Sequence, residues 1–382
     1  MKAKMAAVLA LSSLSATVVA APTFYGEIDL SIDYLKEDNA NGPKRDVTEL
    51  SSNNSLIGLK GDEKLSSRLR ALYQAEFTIY GDDGQGSSSN DYDAFVPRNM
   101  FVGLKDQHLG AIKLGKIDTP LKQLSSQVDS FNNYVENNAD IHGIMAGETR
   151  IDNSLVYESP SLKWGKGQFD AKVQLATGEG EDRIQASKGG YGVAGRGLGD
   201  SWSSSLVYSQ PTFVAGLAYD QAMPTRFLSR GILNAQDKVV KGDSNVVASA
   251  DNLRAIARVN LAQGLSVRAL YQVSEIADVN AGEKAAQDAT VQKIDQAQAW
   301  LVGAEYKLPQ APAWTVKAQY SQNVVSFNDA TADYQAEQVL AGVDYAFSKQ
   351  VKAYAHAGYL TIEQAKQEDQ QVLLGTGLEY KF

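Results

Sequence analysis

The sequence predicts an all-β chain, a transmembrane antiparallel β-barrel of about 16 strands, and three observations carry that expectation. Apolar and polar residues alternate with period two in segments of about ten residues, and the gaps between segments are alternately short and long. The final segment, QVLLGTGLEYKF, puts Val372, Leu374, Thr376, Leu378, Tyr380 and Phe382 on one face, with Leu373, Gly375, Gly377, Glu379 and Lys381 on the other. An apolar face backed by a mixed, glycine-rich one suits a strand between lipid and a polar lumen. From Pro22 onward no run of eighteen uncharged apolar residues occurs, so strands rather than helices must make any crossing.

At the amino end, Lys2 and Lys4 precede an apolar stretch from Met5 to Leu14 and then small residues up to Ala20. That pattern is an export signal at 1–20, cut after Ala20, leaving 21–382 as one barrel domain. The first strand, FYGEIDLSIDY, points Phe24, Ile28, Leu30, Ile32 and Tyr34 outward and Glu27, Asp29 and Asp33 inward. A second strand ends at Lys60, before a turn at 61–64. A third carries Leu69, Ala71, Tyr73, Ala75, Phe77 and Ile79 outward, with Arg68, Arg70, Gln74 and Glu76 inward. Later strands start near Tyr92, Gly110, Arg150, Gly167, Trp202, Thr212, Asn252, Gly264, Gln296, Ala313, Tyr334, Gln350 and Asp369. Gaps after even-numbered strands are short and most of those after odd ones long, notably 118–149, 178–201, 221–251 and 276–295. Short turns at one rim and long loops at the other require an even strand count when both termini share the short-turn rim.

Composition agrees. The mean hydropathy of −0.28 is low, as expected when only every second residue meets lipid. There is no cysteine, which excludes disulfides, thiolate metal sites and a cysteine nucleophile. The formal charge is −9, and removing Lys2 and Lys4 with the signal makes it −11, which argues against nucleic acid as a partner. Tyr34, Tyr157, Tyr219, Trp314, Tyr320, Tyr345, Tyr359, Tyr380 and Phe382 fall on the outward face, mostly near strand ends, where amphipathic rings favour the headgroup level.

Four motifs in order resemble those of the general diffusion porins of Gram-negative bacteria: SLIGLKGDEKL at 55–65, RNMFVGLKDQHLGAIKLGK at 98–116, RIDNSLVYESP at 150–160 and the terminal GLEYKF. The resemblance implies a homotrimer of water-filled 16-stranded barrels in outer-membrane lipid, without a cofactor. In each, the third outer loop folds inward and narrows the lumen. The matching loop is 118–149, with Asp129, Glu136 and Asp140 as its candidate acidic group. By the same resemblance, Lys60, Arg98 and Arg150 map onto the basic wall opposite, and Arg68 and Arg70 join it by alternation. Leu56 and Glu27 stand where many relatives have basic residues, and the Pro-Glu-Phe-Gly-Gly signature of enteric relatives is missing from the loop.

A patch of fixed charge in a narrow aqueous pore sets ion preference, and opposed acidic and basic walls make a transverse field that favours polar solutes. The expected function is therefore passive diffusion of small hydrophilic solutes and ions, with a mild cation preference from the acidic loop. The alternative is a substrate-selective channel with a solute-binding constriction. Arg254, Arg258 and Arg268 also alternate inward, at heights the sequence does not give. Enzymatic chemistry finds no support. His108 falls in a short turn, His142 in the long loop and His356 on the lumen face, and none has a catalytic partner at strand spacing. The same three histidines suggest no metal site. The glycine-rich 186–200 lacks the helix and the Lys-Ser/Thr of a phosphate cradle, and the large outer loops read as exposed surface on which any recognition would be incidental.

Overall fold

The computed structural model describes residues 21–40, 44–82, 95–135, 139–228, 246–279, 281–286 and 290–382. The export signal expected at 1–20 and the acidic Glu136 lie outside the described residues.

Sixteen strands form one closed antiparallel barrel. They are β1 (Thr23–Asp38), β2 (Arg45–Ser52 and, after a break, Leu56–Lys64), β3 (Leu69–Thr78), β4 (Val96–Asp106), β5 (Gly110–Asp118) and β6 (Arg150–Glu158, continued by Leu162–Trp164). Next come β7 (Gly167–Ala176), β8 (Ser201–Gln210), β9 (Phe213–Leu228), β10 (Val246–Asn260) and β11 (Leu265–Ile276). The last five are β12 (Ile294–Lys307), β13 (Trp314–Phe327), β14 (Tyr334–Ala346), β15 (Val351–Gln364) and β16 (Gln367–Lys381). Each strand pairs with the next, and β16 returns to β1 in a ladder from Glu27↔Lys381 to Asp38↔Gln370. Closure leaves the sheet no unpaired edge, which is what lipid demands of a strand-built span.

Alternation places the faces as expected. Leu217, Leu253, Val302, Val316, Val339, Leu374 and Leu378 are exposed, with Tyr157, Trp314, Tyr359, Tyr380 and Phe382 among the exposed aromatics. The opposite face carries Arg254, Lys317, Gln319, Asn323 and His356, all buried. The wall is uneven in height: β3, β5, β7 and β8 have 9 or 10 residues, whereas β12 to β16 have 13 to 15.

Two expectations need correction. The strand expected to end at Lys60 runs on to Lys64, so the turn is 65–68 and Arg68 sits in it rather than on a strand. The start expected near Tyr92 lies outside the described residues, and that strand is described from Val96. Much of the loop expected at 221–251 is strand: β9 continues past a bulge between Asp220 and Met223, pairing Met223 with Ala250 and Arg226 with Val247. A bulge adds an unpaired residue and reverses the inward set from there on, so period-two counting loses the strand at that point.

The apolar core is where 119–149 meets the polar-bearing face of the wall. Leu121, Leu124, Val128, Ile141, Ile144 and Met145 pack with Ala218, Ile256, Leu270, Ala299 and Leu301. Phe131, Tyr134 and Val135 pack with Leu35, Leu340, Tyr354 and Leu373. Burial of the Leu, Ile, Val, Met and Phe side chains among these stabilises the arrangement by about 1.5–3 kcal/mol each. The segment is thereby fixed to the sheet.

Candidate functional site

Segment 119–149 leaves β5 through helix α1 (Pro120–Ser125). The Thr119 hydroxyl accepts the Lys122 N–H at 3.1 Å, and Pro120 fills the first turn, where its missing N–H costs nothing. Two carboxylates then shape the loop. Asp129 accepts the N–H of Phe131 at 2.9 Å and of Ile141 at 3.1 Å, together with the Gln319 side-chain amide at 3.0 Å. Asp140 accepts the N–H groups of Asn133 and His142, both at 2.9 Å, and caps the short turn Ile141–Gly143. Burial pushes the pKa of both carboxyls up, with their mutual repulsion adding to the rise at Asp140. Burial, reinforced by Lys122 and Arg226, pushes His142 down to about 3.

The tall wall grips the loop from one side. Arg254, wholly buried on β10, donates to Leu121 O at 3.1 Å, Ala146 O at 2.9 Å and Gln272 Oε1 at 2.6 Å, and pairs with Glu148. Glu148 in turn accepts the Ser125 hydroxyl at 2.9 Å. On β13, Lys317 donates to Ser130 O at 3.0 Å and Tyr134 Oη at 2.8 Å, with Asp344 at 3.1 Å. Asn323 donates to Ile144 O at 2.7 Å, and Arg258 on β10 donates to Gln127 O at 3.1 Å. A loop without regular structure normally satisfies its carbonyls in water, and here wall side chains do so.

On the other side stand Arg98 and Arg150. Arg98 Nε donates to Glu76 at 2.8 Å, and its Nη1 reaches Asn54. Arg150 lies 3.1 Å from Asp118, which also holds Lys122 at 3.0 Å. Asn54 donates to Asn133 at 2.8 Å, tying this wall to the loop. Between them lies a cavity of about 680 Å³ whose basic lining is Arg98, Lys122, Arg150, Lys188 and Arg226, and whose acidic lining is Asp118, Asp140 and Glu148.

The sequence model describing Gram-negative porins matches residues 6–365. The chain belongs to the Gram-negative porin family. It is 24% identical to the major outer membrane protein P.IB of Neisseria sicca over 98% of both chains. It is 29% identical to outer membrane porin protein 32 of Delftia acidovorans over 56% of this chain and 61% of that protein's length. Among solved structures, an anion-selective porin from Comamonas acidovorans superposes with a TM-score of 0.65 at 20% identity, covering 95% of this chain and 99% of that one. A trimer form of OmpT from Vibrio cholerae superposes at 0.56 and 14% identity, covering 95% and 99%. This porin is thus an integral outer-membrane β-barrel channel and not an enzyme.

Of the basic residues expected on the wall, Arg98 and Arg150 line the cavity. The other three lie toward the short-turn rim. Lys60 is exposed over the Tyr25 ring, Arg68 forks onto Asp106 in two 3.0 Å bonds, and Arg70 pairs with Asp62. Alternation tells which face a residue takes but not its height along the barrel axis. Asp129 is inside the loop, spent on backbone N–H groups. Asp140 borders the cavity, but its carboxylate is spent in the same way. Arg226 and Lys188 were not anticipated. They fall in stretches that resemble solvated loops, and no sequence signal separates them from ordinary surface charge.

Proposed function

We propose that this porin conducts small hydrophilic solutes and ions passively, that 119–149 narrows the lumen, and that the constriction weakly prefers anions. The observation that carries the preference is the cavity lining, which among the described residues has five basic side chains against three acidic ones. Asp118 is engaged with Lys122 and Arg150, Glu148 with Arg254, and Asp140 with backbone N–H groups. This reverses the cation preference expected from the sequence, which counted Asp129, Glu136 and Asp140 as charges facing the pore. Fixed charge acts on ions in proportion to its proximity and to the lack of intervening solvent, so the net charge of the narrowest place outweighs the −9 of the whole chain. Arg98 and Arg150 are the wall cations of this reading.

Export through cleavage after Ala20 and assembly as a homotrimer complete it. The trimer form of the OmpT neighbour supports that assembly. The test is a planar-bilayer recording with reversal potential under a KCl gradient. Three equal conductance steps per insertion and a potential of anion-favouring sign are expected. A cation-favouring sign would refute the charge assignment. Saturable flux with block by a solute at low concentration would point instead to a substrate-selective channel.

A further inference from the structure

A second element borders the same cavity. Within the loop after β7, 185–187 and 190–192 pair as a short hairpin, Gln185↔Gly192 to Ser187↔Gly190. It is joined to the barrel by a parallel bridge, Tyr191↔Ile151. Its tip reaches across the ends of β6, β5 and β4, on the low side of the wall. Three cationic side chains hold it: Lys116 donates to Ser187 Oγ at 3.1 Å, Arg150 to Gly189 O at 3.0 Å, and Arg226 to Tyr191 Oη at 2.9 Å. The backbone at the tip touches the wall directly. Gly189 has φ +71°, and a Cβ there would lie 2.0 Å from Pro97 O; at Gly190 one would lie 2.6 Å from Arg150 O. Only glycine fits such an approach. The hairpin so fixed presents Ala186 and Lys188, both exposed, to the cavity.

We propose that this hairpin is a second wall of the ion path, opposite 119–149, and that Lys188 is a selectivity-determining residue. The inference rests on the channel reading above and adds to it a part of the passage from a different loop. A low wall alone would leave the cavity open on that side, and the hairpin closes it. Lys188 then places a positive charge within the narrow section, where low-dielectric surroundings weaken screening.

The porin contains no cysteine, so Lys188→Cys introduces one addressable thiol. Reversal potential is measured for the unmodified variant, after a cationic methanethiosulfonate and after an anionic one, with labelling verified by mass. The loss of the charge should shift the potential toward cations, the cationic adduct should restore it, and the anionic adduct should shift it further. A purely structural role would not follow the sign of the adduct. Equal potentials in all three states would overturn the proposal. Gly189→Val supplies an independent readout, because it displaces the tip while leaving the sixteen barrel ladders in place. Its conductance should rise above that of the parent, and an unchanged conductance would also overturn the proposal. Failure of the parent to conduct would instead refute the channel reading.

Discussion

Replacing Arg254 with Met tests how the loop is held. The guanidinium is wholly buried and joins both ends of 119–149, through Leu121 O at one end and Ala146 O and Glu148 at the other. Methionine retains much of the side-chain volume but leaves the Glu148 carboxylate buried with the Ser125 hydroxyl and no cation. Breaking a buried pair by removing one partner costs about 3–5 kcal/mol. Since about 1.4 kcal/mol is a factor of ten, the population with the segment detached should rise by roughly two to four decades. The cost falls on the loop's attachment, since the β9–β10 and β10–β11 ladders are backbone bonds that the substitution leaves intact. Adding Glu148→Gln removes the stranded charge, so the double variant should recover most of the loss. The assays are the urea midpoint of the detergent-folded barrel, susceptibility of the loop to protease, and open-channel noise in bilayers. A cost in the single variant below about 1 kcal/mol, or a double variant no better than the single, would refute the argument that this pair anchors the loop.

Other predictions follow from the same geometry. Arg98→Gln and Arg150→Gln should each move the reversal potential toward cations, whereas Arg68→Gln, at the rim on Asp106, should not; equal shifts in all three would mean that height along the axis is irrelevant. His142 is held neutral in place with a pKa of about 3, against about 6.5 when the loop is released. Its stabilising share is therefore present above pH 6.5 and lost as pH falls toward 3, while the raised carboxyls Asp129 and Asp140 contribute in the opposite sense, losing theirs as pH rises. His142→Gln should abolish the acid-side part, seen as fewer closures than the parent between pH 6.5 and 3; identical pH profiles would count against it. Gly375→Val would put a Cβ 1.9 Å from Asp33 Oδ1 and 2.5 Å from His356 Cε1 at the seam between β16 and β1. Overpacking of that kind costs about 1–3 kcal/mol, and should lower the temperature at which the folded barrel loses its compact mobility on gels.

Much of the fold was legible because its signals are local. A strand in lipid must alternate, so Leu374, Leu378 and Tyr380 declare the outer face and Leu373 and Glu379 the inner one without reference to any other segment. Strand count and rim assignment followed from the alternation of short and long gaps. Legibility failed where local rules were suspended: at the β9 bulge, where the inward set changes parity, and at 185–192, a glycine-rich hairpin bound by Lys116, Arg150 and Arg226 from three other strands. The candidate site shows the same division. The sequence by itself determined that Arg254 faces inward and that 118–149 is a long loop with excess acid, while Arg98 and Arg150 were placed by the motifs that resemble the porin family. Tertiary structure alone decided which of those charges meet one another. Asp129 and Asp140 became caps for backbone N–H groups, Glu148 was claimed by Arg254, Lys188 arrived from the loop after β7, and Arg226 from the extension of β9 beyond its bulge. Alternation is a property of one strand, whereas the sign of a narrow passage is a sum over side chains that only closure of the barrel brings within a few ångströms.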